Sequence, residues 1–302
     1  MQNAPLVSVI VPTYNSKSEE LERTINSILN QDYTNIEIIV VDDGSRNPFS
    51  GIKDRFKIER RIQWLEMSEN MGVAVARNAG IQQASGDYIA FLDAGDWWEP
   101  NKIRLQVKLF ESLSSDYGLV YCGAFVHNPN GMVYKSFPKF SGNIYKHLLV
   151  SQVITGSCSS VLMPRHVLDK VGDFFEQYDL PEDRELWMRI SKNYEVSYVN
   201  QCLVHLNVCP CSRSTNPEVK SITYRRLLRL YEKDLIKYGV KSKAWAHCKL
   251  VIGQKYLRKR NIIKAFTYFA DALFTHPSIH VTKGLIISLF PFILRLKHLR
   301  LK

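Results

Sequence analysis

The chain has 302 residues, of which 45% are hydrophobic and 11% aromatic, so it can bury a core and is not globally disordered. Its formal net charge of +11 is unevenly spread, because residues 220–302 carry 19 Lys/Arg against 3 Asp/Glu, whereas residues 1–219 carry 21 against 26. The whole positive excess lies in the C-terminal segment, which predicts an anionic contact there.

The cysteines and apolar runs exclude several protein classes. Six cysteines without a CxxC pair give no usual zinc spacing and favour reduced thiols in a cytoplasmic protein. The N-terminus lacks the basic and apolar regions of a signal peptide, so we expect none. The longest apolar run, at 284–294, contains Pro291 and is shorter than the roughly 20 residues that a membrane-spanning helix needs.

Strand and helix patterns alternate through the first hundred residues. Buried strands are predicted at 7–11, 36–41, 62–65 and 88–92, and helices at 21–29 and 72–83. Short connections between them predict right-handed βαβ units and a parallel sheet, whose ligands bind at the carboxyl ends of the strands. Polar clusters follow three of these strands, at 13–15, 42–43 and 93–96.

Beyond Asp96 the pattern changes, and we expect antiparallel strands to complete a mixed sheet. Further strands are predicted at 117–126, 132–137, 158–163 and 195–199, with helices at 102–113, 164–171 and 183–190. From Lys220 onward the segment is predicted to be helical, with a helix pair at 246–277 interrupted at 259–261. The spacing of that pair fits either one tetratricopeptide unit or an ordinary helical hairpin.

Four stretches occur in a fixed order along the chain: VSVIVPTYN from Val7, IEIIVVDDGS from Ile36, NMGVAVARNAGIQQASGDYIAFLDAGDWWEPNK from Asn70, and LPEDRELWMRI from Leu180. Together they resemble the family 2 glycosyltransferases over about residues 6–215. The resemblance implies an inverting enzyme with the α/β GT-A (Rossmann-like) fold, a mixed sheet flanked by helices. We therefore expect a catalytic domain at 1–215 and a mainly helical, basic region at 216–302.

The resemblance also implies where a nucleotide diphosphate-sugar would bind. Pro12, Thr13 and Tyr14 would line the base pocket, and Asp43 would accept a hydrogen bond from a base ring N–H. Arg77 matches a position that contacts the nucleotide in the family. The alternatives are that Asp43 belongs to a turn that caps a strand, and that Arg77 forms a salt bridge on its helix.

The acidic cluster after the fourth strand matches the family's metal motif. A divalent cation, Mn²⁺ or Mg²⁺, would bridge the diphosphate there, with Asp93 and Asp96 as its candidate ligands. Gly95 stands where the family typically has the Asp that binds the metal directly. Either Asp93 or Asp96 takes over the metal, or metal binding is weakened, or activity is lost; Asp96 could also be only a helix N-cap.

The last motif matches the family's Glu-Asp pair. By this resemblance Asp183 is the general base that deprotonates the acceptor hydroxyl, with Glu182 beside it. The alternative is that Asp183 only stabilises the start of a helix through the helix dipole. Trp187 either walls the acceptor pocket or packs in the core, Gly156 would border the acceptor site, and Arg213 would belong to a lid over the diphosphate.

These features predict an enzyme that transfers a sugar from a nucleotide diphosphate-sugar to a glycan or lipid-linked acceptor during cell-surface glycan synthesis. The expected donor is a UDP-sugar. A sugar-1-phosphate nucleotidyltransferase would have a glycine-rich loop after the first strand, which Val11 to Asn15 do not form. The alternative from another class is a non-catalytic nucleotide-sugar-binding or assembly subunit. A third hypothesis is a basic scaffold whose function depends on residues after 220.

The basic C-terminal region lies outside the resemblance. Its last part combines the apolar run with Arg295, Lys297, Arg300 and Lys302, which is typical of an element that lies in the interface of an anionic membrane. We therefore expect a cytoplasmic protein that contacts the cytosolic membrane face, the alternative being a basic helical subdomain that packs on the catalytic domain or on a second subunit. Nucleic acid is not expected, because no nucleic-acid motif accompanies the charge. The oligomeric state is left open.

Overall fold

The computed structural model describes residues 4–49, 51–176, 180–208 and 216–278, together with residues 282 and 286. The described residues divide into two compact units. The first holds residues 4–145, 153–176 and 182–208, and the second holds residues 146–152, 180–181 and 216–278.

The first unit is built on one sheet. Its nine strands in the described residues are β1 (Val7–Thr13), β2 (Ile36–Asp42), β3 (Ile62–Glu66), β4 (Tyr88–Phe91), β5 (Trp97–Trp98), β6 (Tyr117–His127), β7 (Val133–Ser136), β8 (Leu162–Pro164) and β9 (Glu195–Asn207). Their spatial order is β3-β2-β1-β4-β8-β6-β9-β5, with β7 paired to β6.

The described residues also form helices in both units. In chain order they are α1 (Ser18–Leu29), α2 (Ile52–Arg55), α3 (Val73–Gln83), α4 (Lys102–Glu111), α5 (Tyr145–Val150), α6 (Arg165–Val171), α7 (Glu182–Asn193), α8 (Pro217–Leu230), α9 (Glu232–Lys237), α10 (Lys241–Arg258) and α11 (Ile262–Thr275). A single 3₁₀ turn, Ser157–Ser160, precedes β8.

The first half of the sheet is parallel, as the alternating sequence pattern predicts. Strand β1 pairs in parallel with β2 and with β4, and β2 pairs in parallel with β3. Both faces of β1 are buried, which explains its unbroken apolar run, since a strand covered by helices on both sides has no solvent face. The carboxyl ends of β1, β2 and β4 meet at one edge, where their polar loops follow.

The second half of the sheet mixes directions. Strand β8 is antiparallel to both β4 and β6, β9 runs parallel to β6, and β5 is antiparallel to β9. The predicted mixed sheet is thereby confirmed. The strand predicted at 158–163 is wrong in its first half, because residues 157–160 form a 3₁₀ turn and β8 begins only at Leu162. Strand β9 is longer than predicted, and β5 was not predicted at all.

The helical C-terminal region agrees with the sequence. The predicted break at 259–261 falls between α10 and α11, which form an antiparallel hairpin. Gly253 allows the two helices to approach, because a Cβ atom there would lie 2.6 Å from the ring of Phe269. Within the described part of the chain, no helix combines the length and apolarity needed to cross a membrane.

Lys102 is a buried cation in the core of the first unit. It is fully buried, its Nζ donates to Gln106 Oε1 at 2.7 Å, and it lies 3.9 Å from the centre of the Trp98 ring. Burial lowers the pKa of Lys102 from 10.5 to about 8, and the nearby Cys122 only partly opposes this shift. Such a shift means that folding disfavours the charged form of Lys102, relative to the neutral form, by roughly 3 kcal/mol.

We predict that Lys102→Met raises the free energy of unfolding at pH 7 by about 1–2 kcal/mol, because the loss of a buried charge outweighs the lost bond to Gln106. Between pH 8 and 10.5 the unfolded chain binds more protons at Lys102 than the folded chain, so wild-type stability rises with pH there. The difference in free energy of unfolding between Lys102→Met and wild type should therefore decrease from pH 8 to pH 10.5. Urea unfolding at a series of pH values measures this difference. Lys108→Met, on the exposed face of α4, is the control and should stay within about 0.5 kcal/mol of wild type throughout. A constant difference between Lys102→Met and wild type over this window would contradict the prediction.

Candidate active site

The loops after β1 and β2 are tied to each other. The Asp43 backbone N–H donates to the Thr13 carbonyl at 2.9 Å, and the Asn15 N–H donates to Ser45 Oγ at 2.7 Å. Pro12 and Thr13 are buried, whereas Tyr14 is 50% exposed. The predicted base-pocket residues therefore lie at the edge where parallel sheets bind ligands, with Tyr14 accessible to a ligand.

Asp43 is placed at the same edge but is already bonded within the protein. Its buried carboxylate accepts the backbone N–H groups of Met71 at 2.8 Å and Gly72 at 3.0 Å, and the Asn70 Nδ2 at 3.0 Å. Asp43 therefore anchors the loop that leads into α3. The role implied for it, accepting a bond from the base, stays a prediction.

Arg77, on α3, is buried and joins two of the predicted acids. Its guanidinium donates to Asp93 Oδ1 at 2.7 Å and to Glu182 Oε1 at 3.1 Å, while its Nε has no partner among the described residues. Burial alone would lower the pKa of Arg77, but the charges around it, Asp93 foremost, raise it well above the ordinary value. Arg77 thus forms buried ion pairs with two other elements instead of a salt bridge on its helix surface, and the nucleotide contact implied for it stays a prediction.

The loop that follows β4 is held from two sides. The Gly95 carbonyl accepts Arg23 Nη2 at 2.7 Å, and the Gly95 N–H donates to Thr24 Oγ1 at 3.0 Å. Asp96 accepts Ser159 Oγ at 2.8 Å and the Asn207 N–H at 2.9 Å. Burial raises the pKa of Asp96 to about 7, and the negative charge of Asp93 adds to the shift.

The donor set of this loop fits a metal shared with a substrate. Among the described residues, no group of three His, Cys, Asp or Glu side chains converges on one metal position. Asp93 is 41% exposed with one oxygen bonded to Arg77, whereas both Asp96 oxygens are engaged by protein donors. One exposed carboxylate fits Mg²⁺, which is often held by one or two carboxylates together with phosphates and water.

The Glu-Asp pair forms the first turn of α7. Asp183 accepts the Ser157 hydroxyl in a short hydrogen bond and the Arg184 N–H at 2.6 Å. Gly156 and Ser157 both have positive φ angles, 76° and 51°, which turn the chain so that Ser157 reaches Asp183. Burial raises the pKa of the neighbouring Glu182, an effect that the charge of Arg77 opposes.

Cys158 is buried in the vicinity of these groups. Burial raises the pKa of its thiol, and the charges of Asp183, Asp93 and Glu182 add to the increase, whereas Arg77 opposes it. All four residues are therefore near one buried sulfur atom. The structure brings together the metal motif and the Glu-Asp motif, which lie about ninety residues apart in sequence.

Comparison with known proteins identifies the family of the chain. The family model described as Glycosyl transferase family 2 matches residues 8–172, more than half of the chain. The chain belongs to this family. It is 31% identical over 75% of its length to the Escherichia coli UDP-Glc:alpha-D-GlcNAc-diphosphoundecaprenol beta-1,3-glucosyltransferase WfgD, and covers 84% of it. It is 29% identical over 75% of its length to TuaG of Bacillus subtilis (strain 168), a glycosyltransferase assigned to teichuronic acid biosynthesis, and covers 90% of it.

A solved structure agrees with the fold of this family 2 glycosyltransferase. The mannosyltransferase PcManGT from Pyrobaculum calidifontis, solved with GDP-Man and Mn²⁺, superposes with a TM-score of 0.61 at 18% identity, over 97% of this chain and 81% of PcManGT. The family and the GT-A fold predicted from the sequence are both confirmed.

Two further predicted site residues, Trp187 and Arg213, have different outcomes. Trp187 is fully buried, and its indole N–H has no partner among the described residues, so it packs in the core rather than walling an acceptor pocket. Arg213 lies outside the described residues.

Several residues that organise the site were missed by sequence reasoning. Arg23 and Thr24 on α1 hold the metal-motif loop, and Ser159 bonds to it from the 3₁₀ turn. No local pattern signals these contacts, because each joins elements that are distant in sequence.

His205 is a packing residue of the same unit. It stacks on Trp97 and on Phe125, with ring centres 4.7 and 4.6 Å away. His205 also hydrogen-bonds Glu99 and His127, at 2.8 and 2.9 Å.

We predict that Arg77→Met lowers the free energy of unfolding by about 3–5 kcal/mol, because it leaves two carboxylates without their shared buried cation. Arg77→Lys, which keeps the charge but not the two-sided contact, should lose about 1–3 kcal/mol. Urea unfolding measures both variants. Arg104→Met is the matched control, since it breaks an exposed Arg–Asp pair and should cost about 1 kcal/mol or less. Equal losses for Arg77→Met and Arg104→Met would show that the buried contact is unimportant.

We also predict that Gly95→Asp does not restore the family's motif without a cost to the backbone. Gly95 has a φ of +100°, and a Cβ atom there would have no neighbour within 4 Å, so the strain comes from the backbone alone. Gly95→Ala and Gly95→Asp should therefore both lower the free energy of unfolding by about 1–2 kcal/mol without metal. Gly131→Ala, also at positive φ with open space, should lose a similar amount without affecting nucleotide binding. A metal-free Gly95→Asp protein more stable than Gly95→Ala would contradict this account.

Proposed function

We propose that the protein transfers a sugar, with inversion, from a nucleotide diphosphate-sugar to a lipid-linked glycan during cell-surface polysaccharide synthesis. A UDP-sugar is the proposed donor and a lipid diphosphate-linked sugar the proposed acceptor. The activity for which WfgD is named, which uses UDP-Glc and a diphosphoundecaprenol-linked sugar, supports both choices. The relative assigned to teichuronic acid biosynthesis supports a cell-surface product.

The observation that carries the proposal is the bridge from Asp93 through Arg77 to Glu182. The buried guanidinium of Arg77 donates to Asp93, on the proposed donor side, at 2.7 Å. It also donates to Glu182, the residue next to Asp183, at 3.1 Å. Donor and acceptor chemistry then lie in one site, as a single displacement requires. Holding both groups in a fixed geometry reduces the entropic cost of bringing the two substrates together.

The nucleotide-sugar donor is proposed to bind at the carboxyl ends of the parallel strands. Pro12, Thr13 and the exposed Tyr14 would line the base pocket, next to Asp43. Asp93 would point toward the ribose and diphosphate. Asp93, with Asp96 next to it, would hold Mn²⁺ or Mg²⁺, which would neutralise the charge that develops on the leaving diphosphate. The cation that PcManGT binds is Mn²⁺.

The chemical step is assigned to Asp183. The acceptor hydroxyl oxygen attacks the anomeric carbon from the side opposite the diphosphate, so that the new glycosidic bond forms as the bond from the anomeric carbon to the phosphate oxygen breaks. The acceptor proton passes to Asp183, and the bonding electrons leave with the diphosphate. The Ser157 hydroxyl and the Arg184 N–H orient the carboxylate of Asp183. Gly156 would border the acceptor, and Arg213 would close over the diphosphate.

We further propose that residues 1–215 are the catalytic domain and that residues 216–302 hold the enzyme at the cytosolic face of an anionic membrane. A lipid-linked acceptor supports this location, because its sugar is presented at a membrane surface. The uneven charge of the chain supports it as well.

Gly95 supports a second candidate, a subunit that binds a nucleotide-sugar without turnover. The position has no side chain that could ligate a metal, and its φ of +100° disfavours one. Binding of a nucleotide without sugar transfer under any divalent cation would favour this candidate over the transferase.

The test measures binding of UDP, GDP, dTDP and CDP by calorimetry, with and without Mn²⁺, together with sugar transfer to a lipid diphosphate-linked acceptor. We predict metal-dependent binding of UDP that weakens by roughly tenfold or more in Asp93→Ala, since the diphosphate loses its metal. Asp183→Asn should bind UDP as wild type does but lose transfer by about 10²- to 10⁴-fold, because only the base is removed.

Asp169→Asn is the control for these variants, because it neutralises an exposed carboxylate on α6. It should match wild type in both binding and transfer. If a folded wild-type protein binds none of the four nucleotides, the donor site is wrongly assigned. If Asp183→Asn transfers sugar at the wild-type rate, another group is the base.

A further inference from the structure

Helix α11 has two apolar faces, of which its own unit covers one. Ala265, Phe269 and Ala272 are buried, and Phe269 packs against Gly253 of α10. On the far side of the helix, Ile263 is 77% exposed, Phe266 is 40% exposed and Phe274 is 90% exposed.

The three exposed residues and the half-buried Ala270 form one stripe. Ile263, Phe266, Ala270 and Phe274 follow each other at intervals of three or four residues, so they lie along one side of the helix. Only Lys264 and Asp271 are charged among the fourteen residues of α11. A soluble helix with one buried face normally turns a polar face to water, so a second apolar stripe indicates a second apolar surrounding.

Positive charge lies at one end of this stripe. Arg258, Lys259 and Arg260 form an exposed basic turn immediately before α11, and Lys264 lies in its first turn. Lys264 forms an exposed ion pair with Glu218, whose Oε1 lies 4.0 Å from Lys264 Nζ. Residues 216–278 carry 14 Lys/Arg against 4 Asp/Glu, a net of +10.

This charge favours a membrane over the other apolar surfaces that could cover the stripe. A second copy docking through the same face would bring two basic turns together. Residues 279–302 carry five Lys/Arg and no Asp/Glu, so they too would add like charge beside the turn. An anionic lipid surface supplies both an apolar phase for the stripe and opposite charge for the turn.

We propose that the stripe Ile263–Phe266–Ala270–Phe274, with the basic turn 258–260, is a membrane-contacting surface selective for anionic lipids. The proposal deepens the membrane location proposed above and depends on it only for its biological purpose. Helix α11 lies in the plane of the interface, with the stripe among the upper acyl chains and the turn at the lipid phosphates.

The test is co-sedimentation of the full chain with vesicles of phosphatidylcholine alone, or of phosphatidylcholine with about one-third phosphatidylglycerol, at about 0.1 M and 0.5 M salt. Wild type should bind the anionic vesicles at low salt and bind them more weakly, but still measurably, at high salt. Ile263→Glu/Phe274→Glu should bind at least tenfold more weakly. Ile58→Glu makes the same kind of change at an exposed Ile of the first unit and should bind as wild type does.

Two further variants separate apolar insertion from charge. Ile263→Ser/Phe274→Ser should weaken binding at both salt concentrations. Arg258→Gln/Arg260→Gln should weaken it chiefly at low salt and reduce its salt dependence. Thermal unfolding of every variant establishes that it is folded, which is expected because all five changed positions in these variants and the control are exposed.

Three outcomes would overturn the proposal. The first is that wild type does not bind anionic vesicles. The second is that Ile263→Glu/Phe274→Glu binds them as wild type does, which would assign the contact to residues 279–302. The third is that wild type is a dimer and that the variant is a monomer, which would make the stripe an interface between copies. UDP binding measured on the same variants should equal that of wild type, so that failure of the donor site is recognised separately.

Discussion

The buried charge of Arg77 constrains the rest of the first unit. A guanidinium without water needs opposite charges, and here the two carboxylates come from the end of β4 and the start of α7. Moving either element would leave an unpaired charge in the protein interior. The spacing between the metal motif and the Glu-Asp motif is therefore fixed by an electrostatic requirement, in addition to the packing of the sheet.

The same interaction connects the edge where β1 and β2 end to the proposed base. Asp43 binds the backbone of residues 71 and 72, which leads into α3, and α3 carries Arg77. Around this path, α1 holds the Gly95 peptide and the 3₁₀ turn supplies Ser157 and Ser159. Each contact engages a polar group that burial would otherwise leave unsatisfied, so the polar interior of the site is held in a defined arrangement.

Sequence patterns predicted what depends on local periodicity or on an ordered motif. The buried runs at β1 and β2 identified the parallel half of the sheet, and the polar clusters after them identified the edge where the site lies. Patterns could not predict β5, which has two residues, or the 3₁₀ turn, whose positive φ angles at Gly156 and Ser157 follow from tertiary contacts. The motif identified Arg77 but could not predict its burial, because the two residues that it contacts, Asp93 and Glu182, lie 16 and 105 residues away in sequence.

Gly95 also bears on how this sequence could change over time. Its carbonyl and its N–H are both held by neighbouring residues of α1, with the backbone in a region that glycine tolerates best. An Asp at this position would therefore carry a conformational cost for as long as Arg23 and Thr24 hold both backbone groups in place. The effect of a mutation at position 95 thus depends on the residues at positions 23 and 24, so that changes at these three positions are not independent of one another.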